Sequence, residues 1–284
     1  MATTIRFAIN RICAAHWPLP AFAAMVQRLG VDTIELRNDL AGVEMLDGTP
    51  PAEIAAVASA HGLTIRSINA LQRFDQFDAA RAQEAADLLQ FAGACGAQAI
   101  VLCPTNSRDD RRSANQRHDQ LVHALSCLLP MLRENGVNGL IEPLGFAECA
   151  VRCKSQALRA MQALGSPAEL GLLHDSFHHH LAGDDTLFPA ATRLVHISGV
   201  DDPAVSVAAM RDSDRGLIGP QDRLGNVRQL RALLDAGYDG VVSFEPFADA
   251  IITATDIEQQ LARSMDYLSA AVAASTGTEV NSVR

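Results

Sequence analysis

One unit recurs along this chain and restricts its fold more than any other feature. An amphipathic helix ends in a glycine, and a short apolar run follows that reads as a buried strand. Gly30 precedes the run Thr33 to Leu36, Gly62 the run Thr64 to Asn69, Gly96 the run Ala99 to Leu102, Gly136 the run Leu140 to Glu142, and Gly237 the run Val241 to Glu245. Glycine suits the residue just past a helix, where a left-handed backbone stops the helical hydrogen bonding. Strands alternating with helices imply a parallel sheet, and strands buried on both faces lose strict polar alternation. The spacing predicts strands near 5–10, 33–37, 64–69, 99–103, 139–142, 171–175, 194–198 and 241–245. It predicts helices near 19–29, 51–61, 78–95, 115–135, 154–164, 184–191, 226–236 and 256–273. Eight of each make an α/β chain with a single closed (β/α)8 TIM barrel over residues 1–273 and a disordered tail at 274–284. An open doubly wound sheet would carry a glycine-rich phosphate loop after its first strand, and none follows Asn10.

Bulk properties narrow the function. The 284 residues are ample for one large core, and no apolar run reaches the roughly 18–20 residues of a membrane span. The N-terminus enters a strand-like run almost at once, without the basic and apolar regions of a signal peptide, so a cytoplasmic protein is expected. The net charge of −10 is opposite to the footprint of a nucleic-acid binder. Cysteines at 13, 95, 103, 127, 149 and 153 read as reduced thiols, mostly core filler. Cys149 and Cys153 form a lone C-x3-C with no second pair to complete a metal site.

Four strand-like runs end in an ionisable residue: Glu142, Asp175, His196 and Glu245. In a (β/α)8 barrel, side chains at the carboxyl ends of the strands line the active-site mouth. Three carboxylates and an imidazole form a shell for one divalent ion, Mn²⁺, Co²⁺, Mg²⁺ or Zn²⁺. Any one of the four alone reads better as a salt-bridged strand end or a satisfied core histidine. Four at the same end would be costly to bury without a cation.

Other residues are placed by position. His178, three residues after Asp175, points into the same mouth and reads as a hydrogen-bond donor to substrate, with a loop role as the alternative. His179 reads as exposed. The 199–225 connection is the longest without a helix and reads as a functional lid. Within it, Arg215 reads as a clamp on a substrate oxygen, or as a surface arginine paired with Asp212 or Asp214. Asn69 and Glu35 either bond sugar hydroxyls or tie barrel layers together. Trp17, Phe74 and Phe77 either face a polyol ring or pack beneath the loops.

The chain resembles the xylose-isomerase-like barrels, the superfamily of sugar isomerases and epimerases that includes endonuclease IV, and within it the inosose (2-keto-myo-inositol) isomerases. The resemblance spans about residues 5–270. It is carried by Ile34 to Arg37, Asn69 to Leu71, Glu142 to Gly145 with Cys149, Asp175-Ser-Phe-His178 with His180, His196 to Gly199, Asp214-Arg215 and Glu245. It implies that Glu142, Asp175, His196 and Glu245 bind the metal and that Glu142 and Glu245 also move protons. Endonuclease IV needs further histidines for three zinc ions. Here the third strand ends in Asn69 and the seventh is followed by Asp201-Asp202-Pro203, so one metal can be housed and DNA repair is not expected.

Such a shell binds an α-hydroxy ketone through two vicinal oxygens, acidifies its C–H and stabilises an enediolate. The expected activity is isomerisation or epimerisation of a non-phosphorylated keto-polyol or sugar, most closely an inosose, in a pathway of inositol catabolism. Ketohexose 3-epimerase, hydroxypyruvate isomerase and 3-dehydroshikimate dehydratase chemistry are the alternatives, and a non-catalytic sugar-binding protein is a further one. A small-molecule substrate is the expected partner, with no nucleic acid and no membrane. A homo-oligomer is compatible with this reading.

Overall fold

In the computed structural model, which describes residues 4–274, eight parallel strands close into one barrel in the order β1 to β8. The strands are β1 Arg6–Asn10, β2 Thr33–Arg37, β3 Thr64–Gln72, β4 Ala99–Cys103, β5 Asn138–Ile141, β6 Leu170–Asp175, β7 Thr192–Ile197 and β8 Val241–Phe244. Closure is the pairing of β1 with β8, in the register Arg6↔Val241 to Ile9↔Phe244. The helices are α1 Leu19–Arg28, α2 Pro51–Ala60, α3 Ala79–Cys95, α4 Ala114–Asn135, α5 Lys154–Ala163, α6 Ser176–Ala182, α7 Asn226–Asp235, α8 Asp249–Ile252 and α9 Ile257–Ala274. No helix among the described residues is long and apolar enough to cross a membrane. Of the expected tail, Ala274 closes α9 and 275–284 lie outside the described residues.

Strand alternation sorts the core into two layers. Outward residues such as Ile9, Ile68, Ile100, Leu172 and Phe244 pack with the helices. Inward residues are smaller: Ala8, Ala70, Ala99, Val101, Leu140, Leu173, Leu194 and Val241 fill the barrel itself. Local chemistry sets the helix ends. Asp78 caps α3, Ser113 and Gln116 form a capping box on α4, and Gly96 and Gly136 end those two helices in the left-handed region.

One expectation needs correction. Residues 184–191 are not a helix; the sixth helix is α6, which starts directly at the strand end because the Asp175 carboxylate caps it, and stops at Gly183. Phe188 precedes a proline, which disfavours helical backbone there. The expected last helix is found whole as α9, and a short helix that the spacing does not predict, α8, precedes it. The 199–225 connection holds two 3₁₀ turns, Val207–Ala209 and Asp212–Asp214, and is pinned at its root by reciprocal backbone hydrogen bonds between Gly199 and Gly216.

One glycine positions the mouth sterically. Gly145, after β5, has φ of +69°, and a Cβ there would lie 2.1 Å from the His178 carbonyl oxygen. Gly145→Ala should therefore lower stability by more than ~1 kcal/mol in urea unfolding, through both strain and clash. Gly219 has open space around it, and Gly219→Ala is expected to stay within ~0.5 kcal/mol.

Candidate metal centre at the barrel mouth

The strand parity that fills the barrel also aims its polar mouth. Two residues beyond inward-facing Leu140, Leu173 and Leu194 come Glu142, Asp175 and His196, and Glu245 follows Val241 by four. All four are buried, and one ligand atom from each lies within 4.8 Å of the others. The same parity brings in Asn10, Glu35, Arg37 and Cys103 from β1, β2 and β4.

Hydrogen bonds orient the donors. His196 Nε2 meets Glu35 Oε2 at 3.0 Å, which directs Nδ1 toward Glu245 Oε2 at 3.0 Å and Glu142 Oε1 at 3.5 Å. Nδ1 has no hydrogen bond of acceptable geometry. Glu35 is itself held by Ser67 Oγ and by Asn69 Nδ2 at 3.1 Å. Asp175 Oδ1 accepts from the backbone N–H groups of Phe177 and His178, and Oδ2 accepts from Arg215 Nη2 at 2.6 Å. Glu245 Oε1 accepts from Arg37 Nη1 at 2.9 Å and Glu245 Oε2 from Arg215 Nη2 at 3.0 Å. Glu142 Oε2 accepts from the Cys103 thiol at 3.4 Å.

The electrostatics are those of a crowded, dry cluster. Burial would lower the His196 imidazole, but Glu245 and Glu35 outweigh it and hold the ring well above its ordinary range. Burial would raise Glu35, and His196 brings its carboxyl down to about 2. Glu245 is likewise opposed by burial and still held far below the carboxylate range by His196, Arg215 and Arg37. Burial, then Glu142, push the Cys103 thiol well up, so it stays protonated at neutral pH.

These residues fit a divalent ion. Glu35, Glu142, Asp175 and Glu245 are buried against two buried guanidiniums, Arg37 and Arg215. With a neutral imidazole, two negative charges are left over, which one divalent cation cancels. The unbonded Nδ1 lone pair and the carboxylate oxygens converge, and hard oxygens with one imidazole suit Mn²⁺, Mg²⁺, Co²⁺ or Zn²⁺. A proton on His196 and the ion compete for the same lone pair, so metal uptake should weaken in acid.

Above the cluster opens a cavity of ≈ 500 Å³ lined by Arg37, Asn69, Cys103, Glu142, His178, Arg215 and Glu245, among others. A groove of ≈ 590 Å³ between the β3 and β4 loops is larger, but its lining includes none of the four donors, so the chemistry rather than the size picks the mouth. The sequence-derived site residues all reach this cavity or its floor. His178 is buried with an unpartnered Nδ1, packed edge-on between Phe146 and Phe177. Asn69 commits its amide N–H to Glu35, Ser67 and the Leu36 carbonyl, so a substrate hydroxyl would meet its side-chain oxygen.

Several expectations change. Arg215 is not exposed. It is fully buried, bonded to Asp175, Glu245 and Ser198 as well as Asp212, and sandwiched by Phe177 and Phe247. Glu35 Oε2 meets His196 in the barrel interior and ties it to Ser67 and Asn69, while Oε1 has no hydrogen-bond partner among the described residues. His179 is half-buried against Lys154. The cavity's aromatic walls are Phe146 and Phe247, whereas Trp17 and Phe74 pack in the core. Cys149 and Cys153 bond separately, to the Val151 carbonyl and to Ser155 and Gln156. The sequence reading gave Arg37 and Cys103 no role, although each closes its strand run as Asp175 does.

A closed parallel barrel with a carboxylate–imidazole cluster at its mouth defines the class. The chain belongs to the xylose isomerase-like TIM barrel family, whose family model matches residues 23–271. It is 32% identical to a xylose isomerase domain-containing protein from Salmonella typhimurium LT2, covering 94% of this chain and 98% of that one with a TM-score of 0.86. The IolI protein with a bound zinc atom shares the fold at 20% identity, with 95% and 99% coverage and a TM-score of 0.83. L-ribulose 3-epimerase shares it at 17% identity, with 99% of both chains covered and a TM-score of 0.74. No curated protein matches the sequence.

If Glu35 fixes the imidazole for an ion, Glu35→Gln should weaken divalent-metal binding by roughly 10–100-fold, read by competition against a chromophoric chelator. An unchanged affinity in a folded variant would remove Glu35 from that role.

Proposed function

We propose that the protein is a divalent-metal-dependent isomerase or epimerase of a non-phosphorylated keto-polyol or sugar, most closely a 2-keto-myo-inositol isomerase. One observation carries the reading: four buried donor atoms within 4.8 Å of one another, with the His196 lone pair turned among carboxylates at the mouth of the barrel. Glu142, Asp175, His196 and Glu245 would hold the ion. Family membership and the zinc bound by the IolI neighbour support a metal there. A cavity of ≈ 500 Å³ suits a six-carbon ring better than a three-carbon keto acid, which favours an inosose over hydroxypyruvate.

When bound, the ion supplies Lewis-acid polarisation of a carbonyl and its neighbouring hydroxyl. The residues do the rest. Glu142 and Glu245 flank the cavity from β5 and β8, so one removes the proton from the substrate carbon and the other returns it. The structure makes the two unequal. Both guanidiniums ion-pair with Glu245, while among the described residues none lies within ion-pair distance of Glu142. Glu142 is thus the better base for the first step, and Glu245, once protonated, the readier acid. His178 donates a hydrogen bond to a substrate oxygen, and Arg215 lends positive charge to the enediolate while anchoring Asp175 and Glu245. Phe146 and Phe247 pack on the apolar face of the ring and keep water out.

The reading is tested in D₂O with a panel of inososes, ketohexoses and dehydroshikimate. Solvent deuterium should enter an inosose at the carbon beside the carbonyl, and a metal-loaded protein that exchanges no proton in any of them would sink the proposal. Glu142→Gln and Glu245→Gln should keep most of the metal yet lose ~10²–10⁴-fold in turnover. Asp175→Asn should act mainly through metal loss and recover in part with excess Mn²⁺ or Co²⁺, whereas the Gln variants should not recover.

A further inference from the structure

The four ligand residues do not use their second oxygens alike. Asp175 Oδ1 is fixed by two backbone N–H groups, and Glu245 Oε1 by the Arg37 guanidinium. Glu142 has no such strong partner. Its Oε1 faces His196 Nδ1 at 3.5 Å, and its Oε2 faces the Cys103 sulfur at 3.4 Å. Cys103 closes β4, keeps the inward parity of Val101, is buried, and lines the mouth cavity. The thiol and Glu142 thus line the same cavity, and the thiol meets the Glu142 oxygen that does not face His196.

We infer that Cys103 is a positioning residue that holds Glu142 Oε2 toward the substrate and away from the metal, so that Glu142 offers the ion only Oε1. The inference rests on the proposed role of Glu142 as metal ligand and base. Carboxylates bind divalent ions through one oxygen or two. A Glu142 that turned both oxygens inward would fill a place the substrate needs and would withdraw the base. A donor on Oε2 opposes that turn. The choice of donor matters as well. A guanidinium in the place of Cys103 would hold Oε2 more firmly but would make it a poor proton acceptor, as at Glu245. A thiol is a weak donor that can hold the oxygen and still leave it basic.

The test uses full-length protein with Co²⁺ as the metal, in Cys103→Ala and Cys103→Ser variants whose folding is checked by thermal unfolding. Serine keeps a donor and alanine removes it. In Cys103→Ala the visible absorption of bound Co²⁺ should weaken and shift as Glu142 supplies a second oxygen, and Cys103→Ser should restore the wild-type spectrum. Deuterium exchange should fall in kcat by ~10-fold or more in the alanine variant, with KM little changed, and should recover with serine. A Co²⁺ spectrum identical in wild type and Cys103→Ala overturns the inference, as does an equal change in both variants. The spectrum decides this even if no tested substrate exchanges, an outcome that would instead overturn the proposed reaction. A chain that takes up no Co²⁺ overturns the metal reading and this inference with it.

Discussion

At the mouth of the barrel, four carboxylates and two guanidiniums are buried around a single imidazole, and the rest of the site depends on how that charge is compensated. Each buried ion costs several kcal/mol unless opposite charge and hydrogen bonds replace its water. Arg37 and Arg215 supply two positive charges and His196 supplies a lone pair that nothing in the described chain bonds well. The imbalance amounts to one divalent cation. The barrel tolerates such a cluster because eight paired strands satisfy their own backbone, which leaves the charges of the inward side chains to be matched among themselves.

Compensation is also what divides the labour among chemically similar groups. Glu142 and Glu245 are the same residue type at the ends of two strands of one barrel. His196, Arg215 and Arg37 hold Glu245 ionised against burial, while among the described residues Glu142 meets a thiol and, at longer range, the imidazole. Glu35 belongs to the cluster by charge yet points its oxygen at the far nitrogen of His196, so it sets which nitrogen faces the mouth. The loops serve the same end. Gly145 lets the chain after β5 pass against the His178 carbonyl, and the Gly199–Gly216 pair roots the segment that delivers Arg215.

Much of this was legible from residue order because a parallel barrel has a simple grammar. Period-two alternation tells which residues face inward, and the glycine-terminated helices tell where each strand starts. Glu142, Asp175, His196 and Glu245 all followed from the ends of their runs, and the structure does bring them together. Applied to every strand, the same rule would also have marked Arg37 on β2 and Cys103 on β4. The sixth helix was misplaced because the capping power of Asp175 depends on the strand delivering it to a helix start, which periodicity does not record.

The sequence by itself determined the architecture, the direction of the strands and the four residues that cluster at the mouth, since these follow from short-range pattern and parity. Tertiary structure alone decided the partnerships. Arg215 reads equally well as a surface arginine or a clamp until folding buries it between Asp175 and Glu245, forty and thirty residues away in the chain. Glu35 reads equally as a partner of sugar hydroxyls or as a barrel tie until closure sets it against His196, 161 residues distant. Charge compensation is a property of neighbours in space, and only the closed barrel determines who those neighbours are.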